Sequence, residues 1–209
     1  MYKIYINNCP LLIATEEECS SFISTLPDDC NIENLRFQKS LISNYVDKLE
    51  KQKQAFALCL YTKNPKKAYG RFRKYFKIIK AAGGLIFNER EEILMIYRNE
   101  SWDLPKGKIE KSERPRQAAL REVIEETGIK QVEIKNKIGK TRHVYKLQGE
   151  QRRILKITHW YTMFSQDNQF SPQEEEGISK VEWVKKNLVL ISHKPLFRNL
   201  IDVLETCKK

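Results

Sequence analysis

Along the first 76 residues the pattern of apolar and polar positions changes period several times. Residues 1–14, MYKIYINNCPLLIA, alternate and then run apolar on either side of Asn7-Asn8, which predicts a strand, a turn and a second strand. Residues 15–29 are acidic and without period, and read as an irregular connection. Asn31 is placed to cap a helix running to about Lys53, with Leu35, Ile42, Tyr45 and Leu49 on its inner face. Residues 55–61 read as a buried strand, and Asn64-Pro65 opens a second helix. In that helix Ala68, Phe72, Phe76 and Ile79 recur at helical spacing beside a stripe of Lys63, Lys67, Arg71 and Lys74. These elements predict a small α/β domain over residues 1–76.

From Lys77 the texture changes. KIIKAAGGLIF, residues 77–87, reads as a strand with Gly83-Gly84 as a bulge or a point of close approach, and residues 92–97 as another strand. A loop containing Trp102 and Pro105 leads to a helix over residues 115–127, stopped by Gly128. Strands follow near 132–138 and 141–147, then a turn at Gln148-Gly149, a long strand over 153–164 and a last one over 181–184. Residues 195–207 form a closing amphipathic helix with Leu196, Leu200, Val203 and Leu204 inward. This order predicts a second α/β domain over residues 77–209, an α/β/α sandwich with a mixed sheet between the two helices.

Composition narrows the class. The chain has 209 residues, 41% hydrophobic and 31% charged, enough for a core under a well-solvated surface. No apolar run approaches the roughly 18 residues that a membrane span needs, and the N-terminus lacks the basic and apolar regions of a secretory signal. Cys9, Cys19, Cys30, Cys59 and Cys207 are scattered without a C-x-x-C pair, which argues against a zinc site and a disulfide framework. A reduced cytoplasm is expected. The net charge of +11 favours a polyanionic partner. It is concentrated: residues 62–80 carry eight basic side chains and no acidic one, and residues 130–156 carry nine against Glu133 and Glu150.

The candidate chemistry lies in residues 107–129, GKIEKSERPRQAALREVIEETGI. At about 100° per residue, Glu122, Glu125 and Glu126 share one side of the helix, and Ala119, Leu120, Val123, Ile124 and Thr127 gather on the other. Three carboxylates that close repel one another, so the cluster gains from a cation among them. All-oxygen ligands select Mg²⁺ or Mn²⁺ over zinc. Arg121 flanks the cluster and is placed to pair with Glu113, pinning the preceding loop to the helix.

Gly107, Glu113, Arg121, Glu122, Glu125, Glu126 and Gly128 stand at the spacing of the Nudix box, and the segment resembles that family at every defined position. Seven fixed identities at ordinary usage match by chance in roughly one chain in ten million. The resemblance extends more loosely over residues 77–209 and leaves residues 1–76 outside it. It implies a Nudix fold for the second domain and hydrolysis of a phosphoanhydride with Mg²⁺ or Mn²⁺. It makes Glu122 and Glu126 metal ligands and Glu125 a further ligand or the general base. The Lys106 carbonyl would complete the coordination, and Gly107 would let the backbone approach the ion. A glutamate in the loop before the last strand, Glu176 of Glu174-Glu175-Glu176, is an alternative base or an extra ligand. Lys106 and Lys108 are candidate phosphate contacts, and Trp102 a candidate stacking partner for a base.

The lead-in W-x-x-P-K-G-K, from Trp102 to Lys108, resembles those of dinucleoside polyphosphate hydrolases, diphosphoinositol polyphosphate hydrolases and mRNA-decapping Nudix enzymes. The leading expectation is a small-molecule hydrolase acting on a dinucleoside polyphosphate or another nucleoside diphosphate derivative. An RNA 5′-end pyrophosphohydrolase and a non-catalytic Nudix-like sensor are the alternatives, the intact glutamates disfavouring the last. The partners expected are a nucleotide and, as alternatives left open, RNA and a second copy of the chain in a homodimer; no membrane is expected.

Overall fold

In a computed structural model the chain divides into two compact units, Met1–Ile79 with Arg142–Lys156, and Lys80–Thr141 with Ile157–Lys209. The structure describes residues 1–147, 149, 152–192 and 198–206.

The first unit starts with a hairpin. Asn7 and Asn8 hold φ of 49° and 61°, the left-handed pair a tight two-residue turn requires and asparagine tolerates. They join β1 (Tyr2–Ile6) to β2 (Cys9–Ala14) in antiparallel register, Ile6 opposite Cys9. The chain continues through α1 (Glu16–Ile23), β3 (Asn31–Arg36), α2 (Ile42–Glu50), β4 (Phe56–Tyr61) and α3 (Pro65–Phe72). The strand order is β1-β2-β4-β3, with β2 and β3 both parallel to β4. Tyr5 and Ile6 also pair in parallel with His143 and Val144.

Two expectations change here. The acidic stretch after residue 14 is not irregular: Thr15 and Glu18 form a reciprocal capping box that starts α1. The helix expected from Asn31 is a strand as far as Arg36, and α2 begins only at Ile42. β3 is an edge strand with Ile32 and Leu35 exposed, so it carries no alternation, and pairing with β4 overrides its weak local preference. Further on, α3 ends at Phe72, earlier than its apolar spacing implied, and Arg73–Tyr75 forms a 3-10 turn.

The second unit is built on β5 (Lys77–Phe87, from Lys80 on), β6 (Glu92–Arg98), β7 (Ser101–Asp103), β8 (Lys106–Lys108), α4 (Pro115–Thr127), β9 (Glu133–Tyr145, as far as Thr141), β10 (Ile154–Phe164, from Ile157 on), β11 (Ile178–Lys185), α5 (Lys186–Ser192) and α6 (Arg198–Glu205). Its strands run in the order β11-β6-β5-β10-β9, with β7 on β6 and β8 on β5. Alternation along each strand feeds two cores. Ala82, Ile86, Leu94, Ile96 and Met163 pack under Ala118, Ala119 and Val123 of α4. Leu85, Ile93, Met95, Trp160 and Val184 face the other way, onto Val189 of α5 and Leu200, Val203 and Leu204 of α6. The result is the expected α/β/α sandwich.

The strands expected at 132–138 and 141–147 are one strand, β9, and the loop holding Trp102 and Pro105 contains the two short strands β7 and β8. α5 has no counterpart among the expected elements. The turn at Gln148-Gly149 and the start of the closing helix, with Leu196, fall wholly or partly outside the described residues, as does Cys207.

Candidate active site on the α4 helix

The site begins with how α4 is held. Pro115 occupies the first turn, where its missing N–H costs nothing. Gly128 takes φ 76° at the other end, a left-handed conformation in which any side chain is strained. There Ser171 and Gln173 donate backbone N–H groups to the Thr127 and Glu126 carbonyls, at 3.0 and 3.4 Å. Between these ends the buried face is Ala118, Ala119, Glu122, Val123, Glu126 and Thr127. Two carboxylates therefore lie inside the packed sector instead of opposite it, while Ile124, expected inward, is exposed.

The lead-in lies against those carboxylates. β8 pairs antiparallel with β5, placing Lys106, Gly107 and Lys108 opposite Gly83, Ala82 and Ala81. The Lys106 backbone N–H donates to Glu126 Oε2 at 2.7 Å. A methyl group built on Gly107 would overlap the Glu122 carboxylate, so only glycine permits this approach. The Lys106 ammonium is nearly buried and paired with Asp103.

Two arginines answer the buried charge. Arg121 donates Nε and Nη2 to Glu113, both at 2.9 Å, Nη1 to Glu122 at 3.0 Å and Glu125 at 2.8 Å, and Nη2 to the Lys108 carbonyl at 3.0 Å. Those bonds hold the Glu113 carboxyl below its usual range. Arg98 donates Nη1 to Glu126 at 3.0 Å and Nη2 to Glu176 at 2.7 Å. Even so, burial pushes the Glu126 carboxyl up to about 7, against the opposing pull of Lys106, its amide and Arg98. Burial also raises Glu122, with Arg121 lowering it less.

Against this geometry the comparisons are decisive. A family model described as the NUDIX domain matches residues 77–204. The chain belongs to the NUDIX domain family. It is 34% identical over 120 residues to the m7GpppN-mRNA hydrolase of Saccharomyces cerevisiae, a stretch covering 56% of this chain and 12% of the yeast protein. It is also 37% identical over 83 residues to a putative mutator protein MutT4 of Mycobacterium tuberculosis, covering 40% of this chain and 32% of that one. The matched stretch thus spans well under half of either relative. Among solved structures, the MutT NUDIX hydrolase from Burkholderia pseudomallei shares the fold, with TM-score 0.51 and 20% identity, covering 63% of this chain and 98% of that one.

In the Nudix domain the expected residues are only partly gathered. Glu122, Glu125 and Glu126 stand on one helix, and the Lys106–Lys108 strand lies against it. Glu176 reaches the group through Arg98, because Ile178, two residues on, is in register with Arg98. Trp102 packs on Tyr97, ring centroids 5.1 Å apart, and against the core beneath α5 and α6; α4 lies over the other core. Arg98 and Asp103 were not anticipated. Arg98 ends β6 at the turn of Asn99 and Glu100, both with positive φ, and only strand pairing carries it to α4.

The donor set is all carboxylate and backbone oxygen, which fits a hard divalent cation. Among the described residues, no group of three carboxylate, imidazole or thiol side chains converges on one point; the box carboxylates are turned onto Arg98 and Arg121.

Proposed function

We propose that this chain is a divalent-metal-dependent Nudix hydrolase cleaving a phosphoanhydride in a nucleoside diphosphate linked to another group, with a dinucleoside polyphosphate or related nucleotide as substrate. The observation that carries this reading is the burial of Glu122 and Glu126 against Gly107 and the Lys106 amide. Burying two carboxylates on adjacent turns of a helix destabilises a fold that has no use for them. A bound dication repays that cost in function.

Glu122 and Glu126 would hold Mg²⁺ or Mn²⁺, with Glu125 and the Lys106 carbonyl as further oxygen donors. The ion supplies offset of charge on the phosphate oxygens and a lowered pKa for water. Lys108, exposed beside the box, is assigned to a substrate phosphate, and the side chain of Lys106 to orienting its own backbone through Asp103. Glu125 and Glu176 are the two groups for accepting the proton of the attacking water. Both are exposed to solvent and held in place by an arginine, Glu125 by Arg121 and Glu176 by Arg98. Stacking of the base on Trp102 stays part of the proposal.

Incubation with Mg²⁺ and a panel of dinucleoside polyphosphates, nucleoside diphosphate derivatives and 5′-triphosphate RNA, with products identified by mass, tests this reading. Turnover that falls by several orders of magnitude in Glu126→Gln and Glu122→Gln is the expected result. A metal-loaded wild type inert on the whole panel overturns it. Whichever of Glu125→Gln and Glu176→Gln removes the acidic limb of the kcat–pH profile identifies the base.

A second reading, an RNA 5′-end pyrophosphohydrolase, is favoured by the similarity to the yeast m7GpppN-mRNA hydrolase. Preferential release of pyrophosphate from the 5′-triphosphate RNA of that panel selects it.

A further inference from the structure

The first unit contains a cleft that the Nudix chemistry does not use. It has a volume of about 820 Å³ and is lined by the residues following three adjacent parallel strands: Thr15 and Glu16 after β2, Arg36 and Phe37 at the end of β3, and Tyr61 to Asn64 at the end of β4. Lys67 and Arg71 of α3 complete it. All of these residues belong to the first unit.

The topology explains why a cleft opens there. From β2 the chain crosses by α1 to β3, past the position of β4, and returns by α2 to β4. Right-handed crossovers in opposite directions place their helices on opposite faces of the sheet. Cys19 of α1 accordingly packs on Leu12, Ala14 and Cys59. Leu11, Ile13, Leu58 and Leu60, which alternate with those residues, are fully buried too, so the other face is covered as well. Where the strand order reverses in this way, a crevice forms outside the carboxyl ends of the strands, and α/β sheets bind ligands there.

The lining selects the ligand. Arg36, Lys63, Lys67 and Arg71 are exposed, and Glu16 is the one acidic residue among the cleft residues. None of the four cations has a side-chain hydrogen bond or an ion pair among the described residues. The acidic segment that precedes β3 therefore does not neutralise them; its Glu18 is taken up by the α1 cap and the N-terminal amine. Unpaired cations round one cavity repel each other and favour an anion between them. Lys67 and Arg71, four residues apart, share one side of α3, while Lys63 precedes the helix and Arg36 ends a strand, so the cations that line the cleft come from several points along it. A single phosphate meets only part of such a set, whereas a chain of phosphates meets more of it. The volume is that of a small-molecule site, and Phe37 and Tyr61 line the same cleft.

We propose that this cleft binds a linear oligophosphate, free or carried by a nucleoside, through Arg36, Lys63, Lys67 and Arg71. The site stands independently of the Nudix assignment. Binding to the full chain in EDTA, measured by calorimetry with ATP and with inorganic tripolyphosphate, tests it without turnover. Lys67→Gln/Arg71→Gln should weaken binding at least tenfold and flatten its dependence on salt. Arg36→Gln, on a different element, should do so as well, which guards against a local unfolding of α3; unchanged melting temperatures check both. Tighter binding of ATP than of tripolyphosphate assigns the source to a nucleotide, and equal binding assigns it to the phosphate chain alone; either supports the site. Absence of binding at millimolar concentration, binding unaltered in both variants, or variant-sensitive binding only of a 5′-hydroxyl RNA oligonucleotide overturns it.

Discussion

Arg98 Nη1 lies 3.0 Å from Glu126 Oε1, and the two residues are 28 positions apart in sequence. Glu126 is completely buried, and Arg98 is its only side-chain ion-pair partner among the described residues. The other nitrogen of the same guanidinium carries Glu176. One side chain therefore compensates a buried carboxylate and positions an outer one.

Removing that guanidinium leaves Glu126 without its ion-pair partner. For Arg98→Ala without metal we expect a loss of about 2 kcal/mol at pH 8, below the 3–5 typical of a fully buried pair because Arg98 is partly exposed. Saturating Mg²⁺ should return most of it, since ligand binding to the native state stabilises by mass action. Urea unfolding with and without Mg²⁺ measures both; an Mg²⁺-insensitive loss contradicts the assignment of Glu126 to the metal.

Glu126 also sets a pH dependence. Its carboxyl stands at about 7 in the folded chain against an ordinary value of 4.5. A raised folded value means the folded state binds the proton more tightly. Its contribution is thus fully present below about 4.5 and lost as pH rises through about 7. Glu126→Gln removes that loss. The metal-free variant should be more stable than wild type at pH 8, by up to about 3 kcal/mol, with the advantage shrinking toward pH 5. Denaturation in EDTA at the two pH values decides, and a variant less stable at pH 8 rules the argument out.

Gly107 gives Glu122 its place. The methyl group of Gly107→Ala would meet the Glu122 carboxylate and displace it. We expect kcat/KM to fall at least a hundredfold, about 3 kcal/mol in the barrier, with Mg²⁺ affinity falling in parallel and the far-ultraviolet spectrum unchanged. Retained Mg²⁺ affinity in this variant would show that Glu122 is not a ligand.

Arg121 joins the lead-in loop to the helix through five hydrogen bonds, to Glu113, Glu122, Glu125 and the Lys108 carbonyl. Lysine keeps the charge but not the planar fork. Arg121→Lys should lower turnover by about one to two orders of magnitude. It should also expose the Glu110 amide, which now donates to Glu113 Oε2 at 2.9 Å, to faster hydrogen exchange. Exchange at Glu110 as slow as in wild type would place the loop under other control.

How much of this was legible in the chain depends on the range of the interaction. The box helix, its Gly128 stop, the Arg121–Glu113 pair and the shared side of Glu122, Glu125 and Glu126 are local: helical spacing gives the shared side, the freedom of glycine gives the stop, and a loop of few residues before the helix brings Glu113 to Arg121. So are the Asn7-Asn8 hairpin and the α1 capping box, the last written as T-x-x-E from Thr15 to Glu18 but masked by a run of acids. The strand of residues 31–36 was not legible, because an exposed edge strand has no alternation and exists by virtue of its pairing with β4. Nor was the depth of the box carboxylates, since a helical wheel gives relative angles and only the sheet beneath α4 decides which angle is inward. The strand register that brings Arg98 and Glu176 to Glu126, and the crossover order that opens a cleft beside Arg36, Lys63, Lys67 and Arg71, join residues distant in sequence. Tertiary structure alone decides these, because such contacts depend on which strands pair and not on any periodicity along the chain.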